Sequence, residues 1–272
     1  MRRVVFFVSD STGITAETLG NALLSQFDDI EFEKVTLPFV SDQGLAQAAV
    51  RSIDASSQAG SPRAVVFSTL SDPALYDIIC HSRALVLDLF SAFLPRLEEE
   101  FEKGSTHATG RYHGLVNRPD YEGQIEAIDY ALSHDDGASV KHYDHADVIL
   151  VGVSRSGKTP TCIYLAMQFA IRAANYPLTD GDLQQGCLPR VLDPFVKRLY
   201  GLTIDPERLR QIRQNRRPDS RYASPAQCRK EVAEVEALFR HRGIRFLDTS
   251  HSSVEEIASR ILQDTGLRRR SF

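Results

Sequence analysis

Gly152, four intervening residues, then Gly157, Lys158 and Thr159 satisfy the spacing G-x-x-x-x-G-K-[ST]. Each part of that pattern has a physical use. The glycines let the backbone turn tightly and aim successive N–H groups at an anion, the lysine supplies a point charge, and the adjacent hydroxyl suits Mg²⁺. Gly152, Val153, Ser154, Arg155, Ser156, Gly157, Lys158 and Thr159 therefore form a candidate cradle for an oligophosphate, with Thr159 on the side of the metal. The alternative is a glycine turn entering an ordinary helix. Arg155, inside the loop, is a candidate for contact with the phosphate or with the group that receives it.

A cradle binds, but phosphoryl transfer also requires cations over the moving group and an acid to hold Mg²⁺ or take the proton of the incoming hydroxyl. Asp193 follows Val191 and Leu192, and Asp248 follows Phe246 and Leu247, so each stands where a short strand is expected to end. Lys158, Arg155, Asp193 and Asp248 make up the candidate catalytic set. Arg208, Arg210, Arg213, Arg216, Arg217 and Arg221 are dense enough for a cationic lid, and at helical spacing Arg210, Arg213, Arg217 and Arg221 share a face; a solvated basic helix explains them equally well. The run His134-Asp135-Asp136-Gly137 reads either as an acid/base or metal cluster or as ordinary turn chemistry. His142, His145 and His251 carry little specificity alone. Ser9 to Gly13 follows a strand and opens a helix without any lysine, which leaves a second anion site and a structural turn both open.

The elements around the motif position it. Val148 to Val151 is a continuous β-prone apolar run of the kind buried on both faces of a parallel sheet. After the loop, Cys162, Leu165, Ala166, Phe169, Ala170 and Ala173 fall on one helical face, and Pro160 is tolerated in the first turn. Upstream, strands are expected over Val4 to Val8, Phe32 to Val40, Ala64 to Ser68 and Ala84 to Leu89, with helical stretches between them. Alternation of this kind predicts an α/β fold with mostly parallel sheets. The expected organisation is an N-terminal layered α/β domain (1–104), a connector (105–139) rich in Gly, His, Asn and Pro with one short helix from Ile125 to Leu132, and a C-terminal P-loop kinase-like α/β domain (140–272). A capping box, Ser252 with Glu255 or Ser253 with Glu256, is expected to open the last helix.

Composition narrows the class. The chain has 272 residues, 42% hydrophobic and 25% charged, as in ordinary globular proteins. No apolar run approaches the ~18 residues of a membrane span, so a cytoplasmic protein with no membrane role is expected. The four cysteines, Cys80, Cys162, Cys187 and Cys228, show neither C-x-x-C nor His pairing, which speaks against zinc and against a disulfide framework. Net charge is −4, yet Arg190 to Lys230 holds 11 Lys or Arg against 4 Asp or Glu. A local basic segment in an acidic chain favours a small anion or a partner patch over nucleic acid.

Gly152-Val-Ser-Arg-Ser-Gly-Lys-Thr-Pro-Thr161 with Ile163-Tyr-Leu-Ala166, His134-Asp-Asp-Gly137, Gly201-Leu-Thr-Ile204 and Ser220-Arg-Tyr-Ala223 resembles the pyruvate, phosphate/water dikinase regulatory proteins. Phe7-Val-Ser-Asp-Ser-Thr-Gly-Ile-Thr-Ala-Glu17 and Thr36-Leu-Pro-Phe39 extend the resemblance over nearly the whole chain. Cys228 to Leu238 favours the branch that acts on phosphoenolpyruvate synthase over the one that acts on pyruvate, phosphate dikinase. The resemblance implies a bifunctional enzyme that uses ADP to phosphorylate a threonine of the synthase. It also implies that the same enzyme removes that group by phosphorolysis with inorganic phosphate, releasing pyrophosphate. The family's nucleotide loop falls on Gly152 to Thr159, and the residues themselves give no chemical reason for Ser156 or Thr161 to matter. Two other classes fit the motif alone: a P-loop kinase for a small metabolite, and a nucleotide sensor without chemistry. Monomer and homodimer are both compatible with the sequence.

Overall fold

The apolar runs that open each half of the chain become central strands of parallel sheets. The computed structural model describes residues 2–56, 62–106, 118–137, 139–184, 186–218 and 220–268. Contacts divide the chain into two compact units, residues 1–114 and 115–272.

The first unit runs β1 (Arg2–Ser9), α1 (Ile14–Leu24), β2 (Glu31–Leu37), α2 (Gln43–Ser56), β3 (Val65–Thr69), α3 (Pro73–Cys80), β4 (Leu85–Asp88) and α4 (Leu94–Glu100). Its sheet is parallel in the order β2-β1-β3-β4. Successive β1 residues face opposite sides: Phe6 and Val8 join one core cluster while Val5 and Phe7 join another. That burial on both faces explains the unbroken apolar run.

The second unit comprises α5 (Arg118–Ser133), β5 (Val148–Gly152), α6 (Lys158–Phe169), β6 (Ala173–Pro177), α7 (Asp180–Gln184), β7 (Leu199–Thr203), α8 (Pro206–Arg216), α9 (Pro225–Arg242), β8 (Phe246–Asp248) and α10 (Val254–Thr265). Its strands are parallel in the order β6-β5-β7-β8, the same arrangement as in the first unit. Ile149 and Val151 pack with Leu209, Val235 and Phe239 on one face; Val148 and Leu150 pack with Leu165, Ala166 and Ile261 on the other. Burying each such side chain contributes about 1.5–3 kcal/mol. In both units the first strand has its successor on one side and the third strand on the other. The loop leaving the first strand therefore lies where the strand order reverses, the usual ligand position of open α/β sheets.

Several segments differ from their sequence-based expectation. The expected connector contributes α5, which packs against α6 in the second unit; residues 107–117 of that stretch lie outside the described residues. Val191 to Asp193 is not a strand end, because 190–198 coils as a 3₁₀ helix that buries Leu192. The α6 helix stops at Phe169, where Ala170 takes a left-handed conformation (φ 53°), and Ala173 already belongs to β6. The box that opens α10 is Ser253 with Glu256.

Candidate functional site

The β5 strand ends at Gly152 and α6 begins at Lys158, so the glycine motif forms the whole connection between them. At Gly152 the sheet presses hard on the loop: a Cβ there would lie 2.2 Å from the Leu202 carbonyl oxygen of β7. At Gly157 φ is 89° and the space where a Cβ would stand is open, a conformation that favours glycine. Arg155 adopts φ 78° as a non-glycine residue, strain of a kind that gathers at functional loops. No side chain caps the start of α6 at Gly157. The first-turn amides, with their partial positive charge, are thus available to an anion.

Lys158 is 4% exposed and lies across the loop, its Nζ donating to the Val153 carbonyl at 2.9 Å. Burial pushes its ammonium down to about 8, against the opposing pull of Asp136 and Asp135. A bound oligophosphate would favour the charged ammonium and raise that value. If ADP fills the loop, its binding near pH 8 should therefore take up protons, and affinity should fall as pH rises above about 8. Titration calorimetry in two buffers of different ionisation heat checks the sign; proton release on binding would contradict it.

The acidic group opposite this lysine comes from the His134 to Gly137 turn. Thr159 Oγ1 donates to Asp135 Oδ1 at 2.7 Å, and Asn175 on β6 donates its side-chain amide to the same carboxylate oxygen. The Asn175 Oδ1 in turn accepts from the Asp136 backbone N–H at 3.0 Å. Asp136 has φ 49° and stays exposed, its carboxylate outside that hydrogen-bond set. His134 anchors the turn from beneath, with Nδ1 2.8 Å from the Tyr130 carbonyl and Nε2 2.7 Å from that of Lys141. The hard oxygens of Asp135 and Thr159 match what Mg²⁺ requires, and the exposed Asp136 is free to exchange a proton with a substrate hydroxyl. Neither aspartate belongs to the candidate catalytic set read from the sequence. Their signal was the paired carboxylates before a glycine, which a turn explains as well.

Arg213 is not part of a lid. It is fully buried, and it donates to Ser154 O at 3.1 Å, Tyr222 O at 3.0 Å and Glu231 Oε2 at 2.6 Å. Its guanidinium lies 4.1 Å from the Tyr222 ring centroid, and the Tyr222 hydroxyl meets Ser154 Oγ at 2.9 Å. Arg213 thus braces the loop from behind, while Arg208, Arg216 and Arg217 are exposed. The expected shared face also fails, because α8 ends at Arg216 and Arg221 sits in a separate 3₁₀ turn. Arg213→Ala should cost about 3–5 kcal/mol, because Glu231 is left buried and unpaired. Urea unfolding measures it, and adding Glu231→Gln should restore part of the loss.

The remaining candidates separate clearly. Asp193 pairs with Arg242 at the end of α9. Asp248 ends β8 as expected, accepts the Ser250 N–H, and is followed by Thr249, whose hydroxyl reaches Ser156 O at 3.1 Å. Ser156 Oγ is buried without a hydrogen-bond partner among the described residues, whereas Thr161 Oγ1 donates to Gly157 O at 2.9 Å. His142 and His145 meet Asp144 at the surface before β5, their ligand atoms within 4.8 Å of one another; this is the opposite end of the strand from the loop. In the first unit, Ser9 to Gly13 lines a cavity of about 550 Å³. Asp10, Asp88 and Glu98 contribute to its walls, and no described lining residue is a lysine or arginine, so it has no counterpart of Lys158.

Residues 5–262 match the kinase/pyrophosphorylase family. The chain belongs to that family. This bears out the resemblance carried by the sequence motifs. Family relatives align end to end. One from Laribacter hongkongensis is 51% identical over 99% of this chain and 98% of its own. One from Legionella pneumophila strain Corby is 49% identical over 99% and 100%, and one from Pseudomonas aeruginosa strain LESB58 is 47% identical over 99% and 98%. All three bear the provisional name phosphoenolpyruvate synthase regulatory protein. No described helix is long and apolar enough to cross a membrane.

Proposed function

We propose that the chain phosphorylates a threonine of phosphoenolpyruvate synthase with ADP as donor, and removes the group with inorganic phosphate as acceptor. One observation carries the reading: Lys158, the Thr159–Asp135 pair and Asp136 converge on the same end of α6. The family's two named chemistries and its relatives' names support the choice of reaction and target.

In the inactivating direction the threonine Oγ bonds to the β-phosphorus of ADP, the bond from that phosphorus to the bridging oxygen breaks, and AMP departs. Asp136 receives the hydroxyl proton. In the reactivating direction an oxygen of inorganic phosphate bonds to the phosphothreonine phosphorus, the Oγ–P bond breaks, Asp136 returns the proton to Oγ, and pyrophosphate departs. Gly152 to Thr159 grip the phosphate that stays behind in one direction and enters in the other, so a single cradle serves both. Lys158 and the amides of the loop stabilise the same charge distribution each way. Thr159 and Asp135 would hold Mg²⁺, which supplies charge neutralisation at the phosphoryl oxygens.

Intact-mass analysis of phosphoenolpyruvate synthase incubated with the protein and ADP tests the reading. The synthase should gain one phosphoryl group on threonine with ADP and lose it on addition of phosphate. Transfer from ATP alone, or to a small metabolite and not to the synthase, would contradict it.

A further inference from the structure

A cavity of about 360 Å³ lies beside the glycine loop and shares Ser154 with it. Ser154 forms one wall, Pro177 at the end of β6 and Thr179 beyond it form another, and Arg221, Tyr222 and Gln227 close the side of α8 and α9. Pro177 also meets the catalytic turn, since a Cβ at Gly137 would stand 3.6 Å from its ring. Gly137, the neighbour of Asp136, thus lies against a residue of the cavity wall.

Resting on the function proposed above, we infer that this cavity is the acceptor subsite, taking the extended peptide segment that bears the reacting hydroxyl. A base must reach the hydroxyl it deprotonates within about 2.6–3.2 Å or through one water. The hydroxyl therefore has to enter on the Asp136 side of the loop, and Pro177 in the wall of this cavity is the residue that lies against that turn. The lining suits a peptide. Asp180 is occupied by the Gln227 side-chain amide at 2.8 Å, and Glu231 is neutralised by Arg213. Arg213 also covers one face of the Tyr222 ring, which removes half of the stacking surface a nucleobase would use. What remains is hydroxyl groups, a proline wall and the exposed Arg221, which makes no ion pair among the described residues.

The test uses the full chain, intact phosphoenolpyruvate synthase and ADP, with Arg221→Glu and Thr179→Arg, both at exposed positions. Each should raise KM for the synthase about tenfold or more while kcat stays within about twofold. ADP affinity should not change, and Arg221→Lys should keep most of the wild-type KM. A fall in ADP affinity with acceptor KM unchanged would mean that the cavity holds the nucleoside, and it would overturn the inference, as would variants that shift neither quantity. If the unsubstituted protein fails to phosphorylate the synthase from ADP at all, the functional reading falls and this inference falls with it.

Discussion

Asp136→Asn should lower transfer from ADP to the synthase threonine by about 10²–10⁴-fold, the usual contribution of a positioned general base. Phosphorolysis should fall by a similar factor, because the same carboxylate returns the proton. The side chain is exposed and the turn is held by Asn175 and His134 rather than by the Asp136 carboxylate. The variant should therefore fold normally and bind ADP with affinity close to that of the parent. Single-turnover rates in both directions, set beside ADP binding by calorimetry, separate chemistry from binding. A drop confined to one direction would show that the two reactions use different bases. Asp135→Asn predicts another pattern: it keeps the hydrogen bond from Thr159 but removes a negative charge from the proposed Mg²⁺ site, so the Mg²⁺ concentration needed for half-maximal rate should rise.

Lys158→Met should remove nucleotide binding as well as rate. Methionine fills much of the buried volume without the charge, and one lost electrostatic contact to a transferring group costs about 10²–10³-fold in rate. On the proposed mechanism the same ammonium serves binding and chemistry in both directions. ADP-dependent phosphorylation and phosphate-dependent reactivation should disappear together, with the melting temperature held or raised, since an amine whose charged form burial disfavours is removed. Retained phosphorolysis beside lost phosphorylation would mean that phosphate is held somewhere other than the loop.

How much of this was legible in the sequence depends on the range of the interactions involved. The β5–loop–α6 unit is local: its glycine spacing, apolar strand and helical periodicity lie within thirty residues of one another, and the structure places them as read. Asp135 was visible only as half of an ambiguous turn. Its partners, Thr159 and Asn175, lie 24 and 40 residues away, and no periodicity links them. Arg213 reads in sequence like any other arginine of a basic helix, because burial is decided by Glu231 on the next helix and by Tyr222 beyond the turn. Asp193 was misplaced for the converse reason. Val191, Leu192, Phe195 and Val196 pack on the core at spacings of three and four, a coiled pattern that the short Val-Leu-Asp run hides. The end of α6 was missed because Ala170 takes the left-handed cap normally given to glycine, and the alanines of β6 continue the helical period by coincidence.

The claim on which the rest depends is that one loop holds the phosphate of both reactions. Competition calorimetry addresses it directly, by titrating ADP into the protein at increasing concentrations of inorganic phosphate. A single cradle predicts that phosphate raises the apparent Kd of ADP linearly with phosphate concentration, without a plateau, and that Lys158→Met abolishes both binding events. Saturable phosphate binding that leaves the ADP isotherm unchanged would contradict the account.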